Sequence, residues 1–321
     1  MALSATVLGA SGYSGAEVLR LVSGHPGMEL TAAGAHGRAG GTIPTVLPHL
    51  AGLGGTLVSL EAASATRADV CFSCLPGGVL PEVVPRVKAP LVIDLSDDFR
   101  SEKGWIYGLT EFARGELKGA SRVANPGCYP TAVLMCLVPF ARAGVAGAPI
   151  VVDALSGVSG AGRKAEDRLL FAQLSGGAAA YGTTEHRHVA EMERGLARFG
   201  GLDASVSFTP HLVPMPRGIL VTARARLTTR LSDADAIALL EAHYSNEGFV
   251  SVTEDWPSTK PVTGTNRVHL SARIDRRNSM LICSAAMDNL GKGAAGQALQ
   301  NANVALGIEE SSGLEAYGIW P

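Results

Sequence analysis

Three short stretches of this chain carry side chains able to do covalent or proton-transfer chemistry. Asn125-Pro126-Gly127-Cys128-Tyr129-Pro130-Thr131 puts a thiol just ahead of an apolar helical run that starts near Thr131. At a helix N-terminus the positive dipole end favours a thiolate, and the free N–H groups there can receive the oxyanion formed when it attacks a carbonyl. Gly127 leaves room for a substrate beside the sulfur. The alternative reading of Cys128 is a buried structural cysteine. The remaining cysteines have weaker contexts. Cys136 falls two turns into the same helix and Cys283 in a strand pattern. Cys71 and Cys74 form a C-x-x-C at the end of a core strand, not at a helix start, so packing is expected of them.

The second stretch, Glu185-His186-Arg187-His188, opens a helical pattern that continues Val189-Ala190-Glu191-Met192. A histidine can pass a proton to a departing oxygen near neutral pH, and the arginine between can hold an anion through two N–H groups. Capping or solvated surface roles are the alternatives. No third ligand follows at zinc-like spacing, so no metal is expected. The third stretch runs from Ser156 to Lys164, a small-residue loop ending in Arg163 and Lys164. Its backbone N–H groups and hydroxyls can cradle a phosphate; otherwise it is a linker with a solvated basic end.

These groups need a scaffold. Short apolar runs at Ala5–Leu8, Glu29–Ala33, Ala68–Ser73 and Leu91–Asp94 alternate with turns and helical patterns, which predicts a parallel sheet with helices on both faces. Gly9, Gly12 and Gly15 form a G-x-x-G-x-x-G turn directly after the first run and before a helix. That context suits a dinucleotide pyrophosphate at the helix start. Glu29 tempts an NAD reading, but it begins the second strand. The strand's cofactor end reads Gly34-Ala35-His36-Gly37-Arg38, with no carboxylate, so NADP(H) is expected, with Arg38 and Ser11 near the 2'-phosphate. From about residue 149 the pattern changes to longer alternating runs at 149–154, 206–209, 219–227, 267–272 and 280–285, which fit antiparallel strands. A last helical pattern spans about Gly293 to Leu306. The change of pattern therefore divides the chain into 1–148 and a second part from 149.

The whole chain narrows the function classes. A net charge of -2 recruits neither nucleic acid nor an anionic membrane, and no apolar run is long enough to span a bilayer. Five scattered cysteines fit a reducing, cytoplasmic setting better than a disulfide framework, and the N-terminus reads as a first strand rather than a signal peptide.

Taken in order, the motifs resemble one family, the N-acetyl-gamma-glutamyl-phosphate reductases. The matching stretches are Gly9 to Glu17, Val92 to Arg100, Tyr107-Gly108-Leu109, Asn125 to Thr131, Ser156 to Lys164, His186-Arg187-His188, Phe208 to Met215, Arg217 to Leu220, Gly264-Thr265-Asn266 and Asp288 to Ala298, covering nearly the full length. The resemblance implies a Rossmann-type NADP-binding domain (α/β) formed by 1–148 with a returning segment 292–321, joined to an α+β catalytic domain, 149–291, like that of the semialdehyde dehydrogenases, and a homo-oligomer. It implies a small-molecule acyl phosphate as substrate, a thioester on Cys128, and His188 or else His186 as the proton-transfer group. It extends the cofactor set to Tyr13, Ser14, Pro76, Ser156, Gly157 and Asn289, and assigns substrate contacts to Asn125, Arg163, Arg187 and Arg217. Three positions depart from the family pattern: Thr110 stands where proline is usual, and Val189-Ala190 where Thr-Pro is usual. The alternative activities are reduction of the one-carbon-longer aminoadipyl phosphate and, outside enzymes, nucleotide sensing without catalysis.

Overall fold

Short strands build the first sheet, the central pair of them buried at every position, as expected where both faces are covered. In the computed structural model, which describes residues 2–314 and 317–318, they are β1 (Leu3–Leu8), β2 (Met28–Gly34), β3 (Val70–Ser73), β4 (Leu91–Asp94), β5 (Ile106–Tyr107) and β6 (Arg122–Ala124). Their order is β2-β1-β3-β4-β6-β5, and every neighbouring pair is parallel. The order reverses beside β1, so a crevice forms outside the carboxyl ends of the strands where the Gly9–Gly15 turn lies.

A helix at Gly296–Leu306 returns to this unit and packs on the helices Tyr13–Ser23 and Thr110–Leu117. Its inward side is polar. Gln297, Gln300, Asn301 and Asn303 are fully buried. Burial of amides is tolerated only where they are hydrogen-bonded, and here Asn301 is saturated. Its Nδ2 donates to the Gly108 carbonyl (2.7 Å) and to Asn125 Oδ1 (3.0 Å), while its Oδ1 accepts from Thr110 Oγ1 (2.7 Å) and Gln297 Nε2 (3.2 Å).

The second sheet contains β7 (Ala146–Ser156), β8 (Ala179–Ala180), β9 (Val206–Leu212), β10 (Ile219–Leu227), β11 (Val250–Val252), β12 (Val268–Asp275) and β13 (Met280–Met287), in the order β11-β12-β13-β10-β7-β9-β8. Along β10, Ile219, Val221, Ala223 and Ala225 are fully buried and the residues between them are not, the period of two of a sheet covered on one face. The expectation of antiparallel pairing holds for β10 with β7 and β13, and for β12 with β13. It fails for β7 with β9, which are parallel, and β11, a strand the alternating runs did not include, also pairs parallel with β12. The β7-to-β9 connection carries the helix His188–Gly195, and such a crossover brings the chain back in the same direction.

The two compact units are Met1–Pro126 with Ala294–Ala316, and Gly127–Gly293 with Tyr317–Pro321. The first boundary falls before the expected 148/149 because the helix Cys128–Arg142 packs on β7, β10 and β13. Of the returning segment 292–321, residues 315–316 and 319–321 lie outside the described residues. The Cys128–Arg142 helix is buried continuously from Tyr129 to Ala141, as a helix apolar on all sides must be. Pro139 within it has no N–H to offer the Met135 carbonyl. The Tyr244 hydroxyl takes that place, donating to Met135 O at 2.7 Å.

Candidate active site

The dinucleotide turn is built from backbone constraints. Gly9 has φ 79°, and a Cβ there would sit 2.5 Å from the Cys74 carbonyl oxygen. A Cβ on Gly15 would collide with the Gly9 carbonyl. Gly12 caps the helix Tyr13–Ser23, which has no side-chain cap and no acidic residue in its first turn, so its positive end is left for an anion. Ser11 and Ser14 are half-buried there and Tyr13 is exposed. Pro76 is exposed on the loop that follows Cys74, the residue Gly9 packs against. Arg38 is exposed on the loop after β2. Cys71 is buried, which pushes its thiol up to about 11, and burial likewise raises that of Cys74; neither suits redox chemistry.

Cys128 is the first residue of its helix and is half-buried. Gly127, the N-cap, is held by a carboxylate: its N–H donates to Glu191 Oε1 at 2.8 Å. Thr131 closes the first turn, its Oγ1 donating to the Gly127 carbonyl at 2.9 Å. From the other side a Cβ on Gly293 would lie 2.8 Å from Cys128 Cβ, so only glycine fits against the nucleophile.

The two histidines come together beside the next residue. His186 and His188 meet edge to face with ring centres 4.7 Å apart, and lie 5.7 Å and 5.9 Å from the Tyr129 ring. His188 is buried and begins the helix His188–Gly195, on which Glu191 also lies. The His188 N–H donates to His186 Nδ1 at 3.2 Å. Neutral His186 therefore carries its proton on Nε2. Burial, and then the Arg187 charge, hold His186 below its usual range. Thr184 takes φ 69°, strained for a β-branched residue, in the turn leading into this pair. The Tyr129 hydroxyl meets that of Tyr181 at 2.9 Å.

The anion-binding candidates separate into two groups. Arg163 and Arg187 are exposed. Arg217 is held rigidly: the buried Asp288 accepts from its Nε and also from the N–H groups of Gly264, Leu290 and Gly291. In the loop Ser156 to Lys164, expected as a phosphate cradle, several N–H groups are already engaged. The N–H groups of Gly157, Val158 and Ser159 donate to the carbonyls of Gly218, Met215 and Pro216, and are spent within the unit. The Ser156 hydroxyl donates to Gly157 O, and Asn289 braces the same loop, accepting from Gly218 N (2.7 Å) and donating to Ser159 Oγ (2.9 Å). Asn125, expected at the substrate, is also engaged elsewhere: it is 1% exposed, with Nδ2 on the Ala294 carbonyl and Oδ1 on Asn301. Sequence reasoning missed Glu191, Tyr181, Asp288 and Gly293 as parts of the site. Asp288 and Gly293 lie inside a quoted motif; nothing local marks Glu191 or Tyr181. Among the described residues no cluster of acidic, histidine or cysteine side chains is arranged to hold a metal, and no helix is long and apolar enough to cross a membrane.

Comparison with known proteins follows the same division. Residues 4–120 match the semialdehyde dehydrogenase NAD binding domain, and residues 128–289 the semialdehyde dehydrogenase dimerisation domain. Aspartate semialdehyde dehydrogenase II from Vibrio cholerae superposes with a TM-score of 0.76 over 95% of this chain and 99% of that one, at 18% identity. The NADP complex of the Candida albicans aspartate semialdehyde dehydrogenase gives 0.71 over 95% and 98%, also at 18% identity. These likenesses establish the fold. Sequence relatives are nearer. The chain is 41% identical to the N-acetyl-gamma-glutamyl-phosphate reductase of Salinispora arenicola (strain CNS-205), over the whole of both chains. It is 42% identical to that of Acidothermus cellulolyticus (strain ATCC 43068 / DSM 8971 / 11B), again over both chains entirely. It is 40% identical to the probable chloroplastic enzyme of Arabidopsis thaliana, over 98% of this chain and 84% of that one. With this identity sustained from end to end, the chain belongs to the N-acetyl-gamma-glutamyl-phosphate reductase family.

Proposed function

We propose that this chain reduces N-acetyl-gamma-glutamyl phosphate to N-acetyl-glutamate semialdehyde and phosphate, using NADPH and a thioester on Cys128. The observation that carries the reading is Cys128 at the first residue of a buried helix, with His186 and His188 against the ring of the next residue. The Cys128 sulfur attacks the acyl carbon, the helix N–H groups face the resulting oxyanion, and the carbon–oxygen bond to phosphate breaks. Bound NADPH supplies the hydride that reduces the thioester. The His186–His188 pair lends a proton to the hemithioacetal oxygen and recovers it as the carbon–sulfur bond breaks. Arg163, Arg187 and Arg217 take the substrate's carboxylate and phosphate, with Asp288 fixing the plane of Arg217.

The Gly9–Gly15 turn fits the cofactor: side chains are excluded from Gly9 and Gly15, and the following helix start carries neither cap nor acid. NADP is favoured over NAD because β2 runs into Ala35-His36-Gly37-Arg38 without a carboxylate, leaving Arg38 and Ser11 for a 2'-phosphate. The match to a dimerisation domain supports a homo-oligomer, dimer or tetramer. Five free cysteines support a reducing compartment, and we place the chain in the cytoplasm.

The test is phosphate-dependent NADP reduction with N-acetyl-glutamate semialdehyde and its one-carbon-longer homologue side by side. A preference for the longer substrate transfers the chain to the aminoadipyl reaction, and turnover of neither leaves the nucleotide sensor. A higher specificity constant with NAD than with NADP overturns the cofactor assignment. His186→Asn and His188→Asn, assayed separately, identify the proton donor by which variant loses kcat.

A further inference from the structure

Two phenols face one another at the nucleophile. The hydroxyls of Tyr129 and Tyr181 are 2.9 Å apart, and both rings lie within electrostatic reach of the Cys128 sulfur. Tyr129 is 2% exposed and penned by His186, His188 and Phe208, so its ring cannot turn. Tyr181 is half-buried and anchored through its main chain, its N–H donating to the Pro210 carbonyl at 3.0 Å. Two hydroxyls in one hydrogen bond hold two protons, and the bond between them uses only one. Either oxygen can be the donor in that bond, and when Tyr129 donates, the Tyr181 proton is left for a third group. Two guanidinium groups bear on Tyr181, one of them, Arg168, also paired with Glu166 at 2.9 Å. The Arg168 guanidinium stands 5.7 Å from the ring centre, and Arg187 acts on the same phenol. A hydroxyl donor set among guanidinium groups beside a nucleophile suits an anionic oxygen.

We propose that the Tyr181 hydroxyl donates a hydrogen bond to a phosphoryl oxygen of the acyl phosphate, with Tyr129 aiming it, so that Tyr181 is a further catalytic residue. This rests on the acyl-phosphate reading above. Tyr181 holds the phosphate while the Cys128 sulfur attacks the neighbouring carbon, and Tyr129 acts only by positioning it.

Two measurements on the intact protein test the proposal. Inorganic phosphate is titrated against the rate of Cys128 alkylation by iodoacetamide, read by peptide mass. Phosphate should protect wild type, and Tyr181→Phe should need roughly tenfold more phosphate for half protection. Tyr129→Phe should fall between the two, because Tyr181 keeps its proton and loses its aim. The alkylation rate without phosphate is measured for each protein, and half protection is read relative to that protein's own unprotected rate. Tyr181→Phe keeps the ring beside Arg168 and His186, so lost packing cannot mimic the effect. In turnover, KM for phosphate should rise in Tyr181→Phe while KM for NADP does not. Equal half protection in wild type and Tyr181→Phe, or no protection of wild type by phosphate, overturns the proposal. Wild type that phosphate protects but that turns over neither semialdehyde would instead remove the acyl-phosphate reading and leave Tyr181 as a phosphate ligand.

Discussion

The Gly127 N–H donates to Glu191 Oε1 across 2.8 Å, so the residue before the nucleophile is held by the helix that begins at His188. The donor and acceptor are both buried, and removing the acceptor strands the donor. Glu191→Ala should cost about 1–3 kcal/mol of stability and lower kcat. Glu191→Gln keeps an oxygen acceptor and should recover most of both. Urea unfolding with turnover measurements checks this, and three proteins of equal stability would count against it.

Cys128→Ser tests the covalent step directly. The oxygen nucleophile is far weaker at neutral pH, so reduction should fall by about three orders of magnitude or more. NADPH affinity, read by fluorescence titration, should be unchanged because the dinucleotide turn is built from residues 9–15. A variant that keeps wild-type turnover ends the thioester mechanism.

His186 should titrate below its usual value near 6.5, first because of burial and second because of Arg187. The sign for stability follows. Below that value the unfolded chain binds the proton more readily than the folded one, so this group costs stability as pH falls and costs nothing above it. Arg187→Gln should raise the midpoint part of the way, since burial remains. The imidazole proton shifts in an NMR titration report it, and a wild-type midpoint at or above 6.5 would refute the assignment.

Tyr244 and Pro139 should be coupled. Tyr244→Phe leaves the buried Met135 carbonyl without its hydroxyl donor and should cost about 1–3 kcal/mol. In a Pro139→Ala background the new N–H can bond that carbonyl, so Tyr244→Phe should cost less there. Additive losses in a double-mutant cycle would show that the two residues do not share this carbonyl.

Much of the scaffold could be read from the sequence because its signals are local. The β1 run, the glycines at 9, 12 and 15 and the helix from Tyr13 are contiguous, and so are Gly127, Cys128 and the helix they begin. The parallel pairing of β7 with β9 was hidden, since alternation along a strand reports the buried face and not the direction of its neighbour. The loop Ser156 to Lys164 shows the same limit: its glycines and hydroxyls have the composition of a phosphate cradle, but the carbonyls of Met215, Pro216 and Gly218 take three of its N–H donors. Glu191 and Gly127 are 64 positions apart, and no spacing rule connects them. Asn125 carries the right group for a substrate contact, yet Asn301, 176 positions on, had already taken it.

The polar underside of the Gly296–Leu306 helix has a consequence for how the chain is made. Synthesis proceeds from the N-terminus, so every strand of the first sheet emerges before residues 296–306. Until those arrive, the Asn125 amide, the Thr110 hydroxyl, the Gly108 carbonyl and the His25 ring lack the partners that bury them. On a nascent first unit those groups are left to water, so this face gains its final hydrogen bonds only after the whole second unit has been translated, and the last helix completes the packing of residues made far earlier.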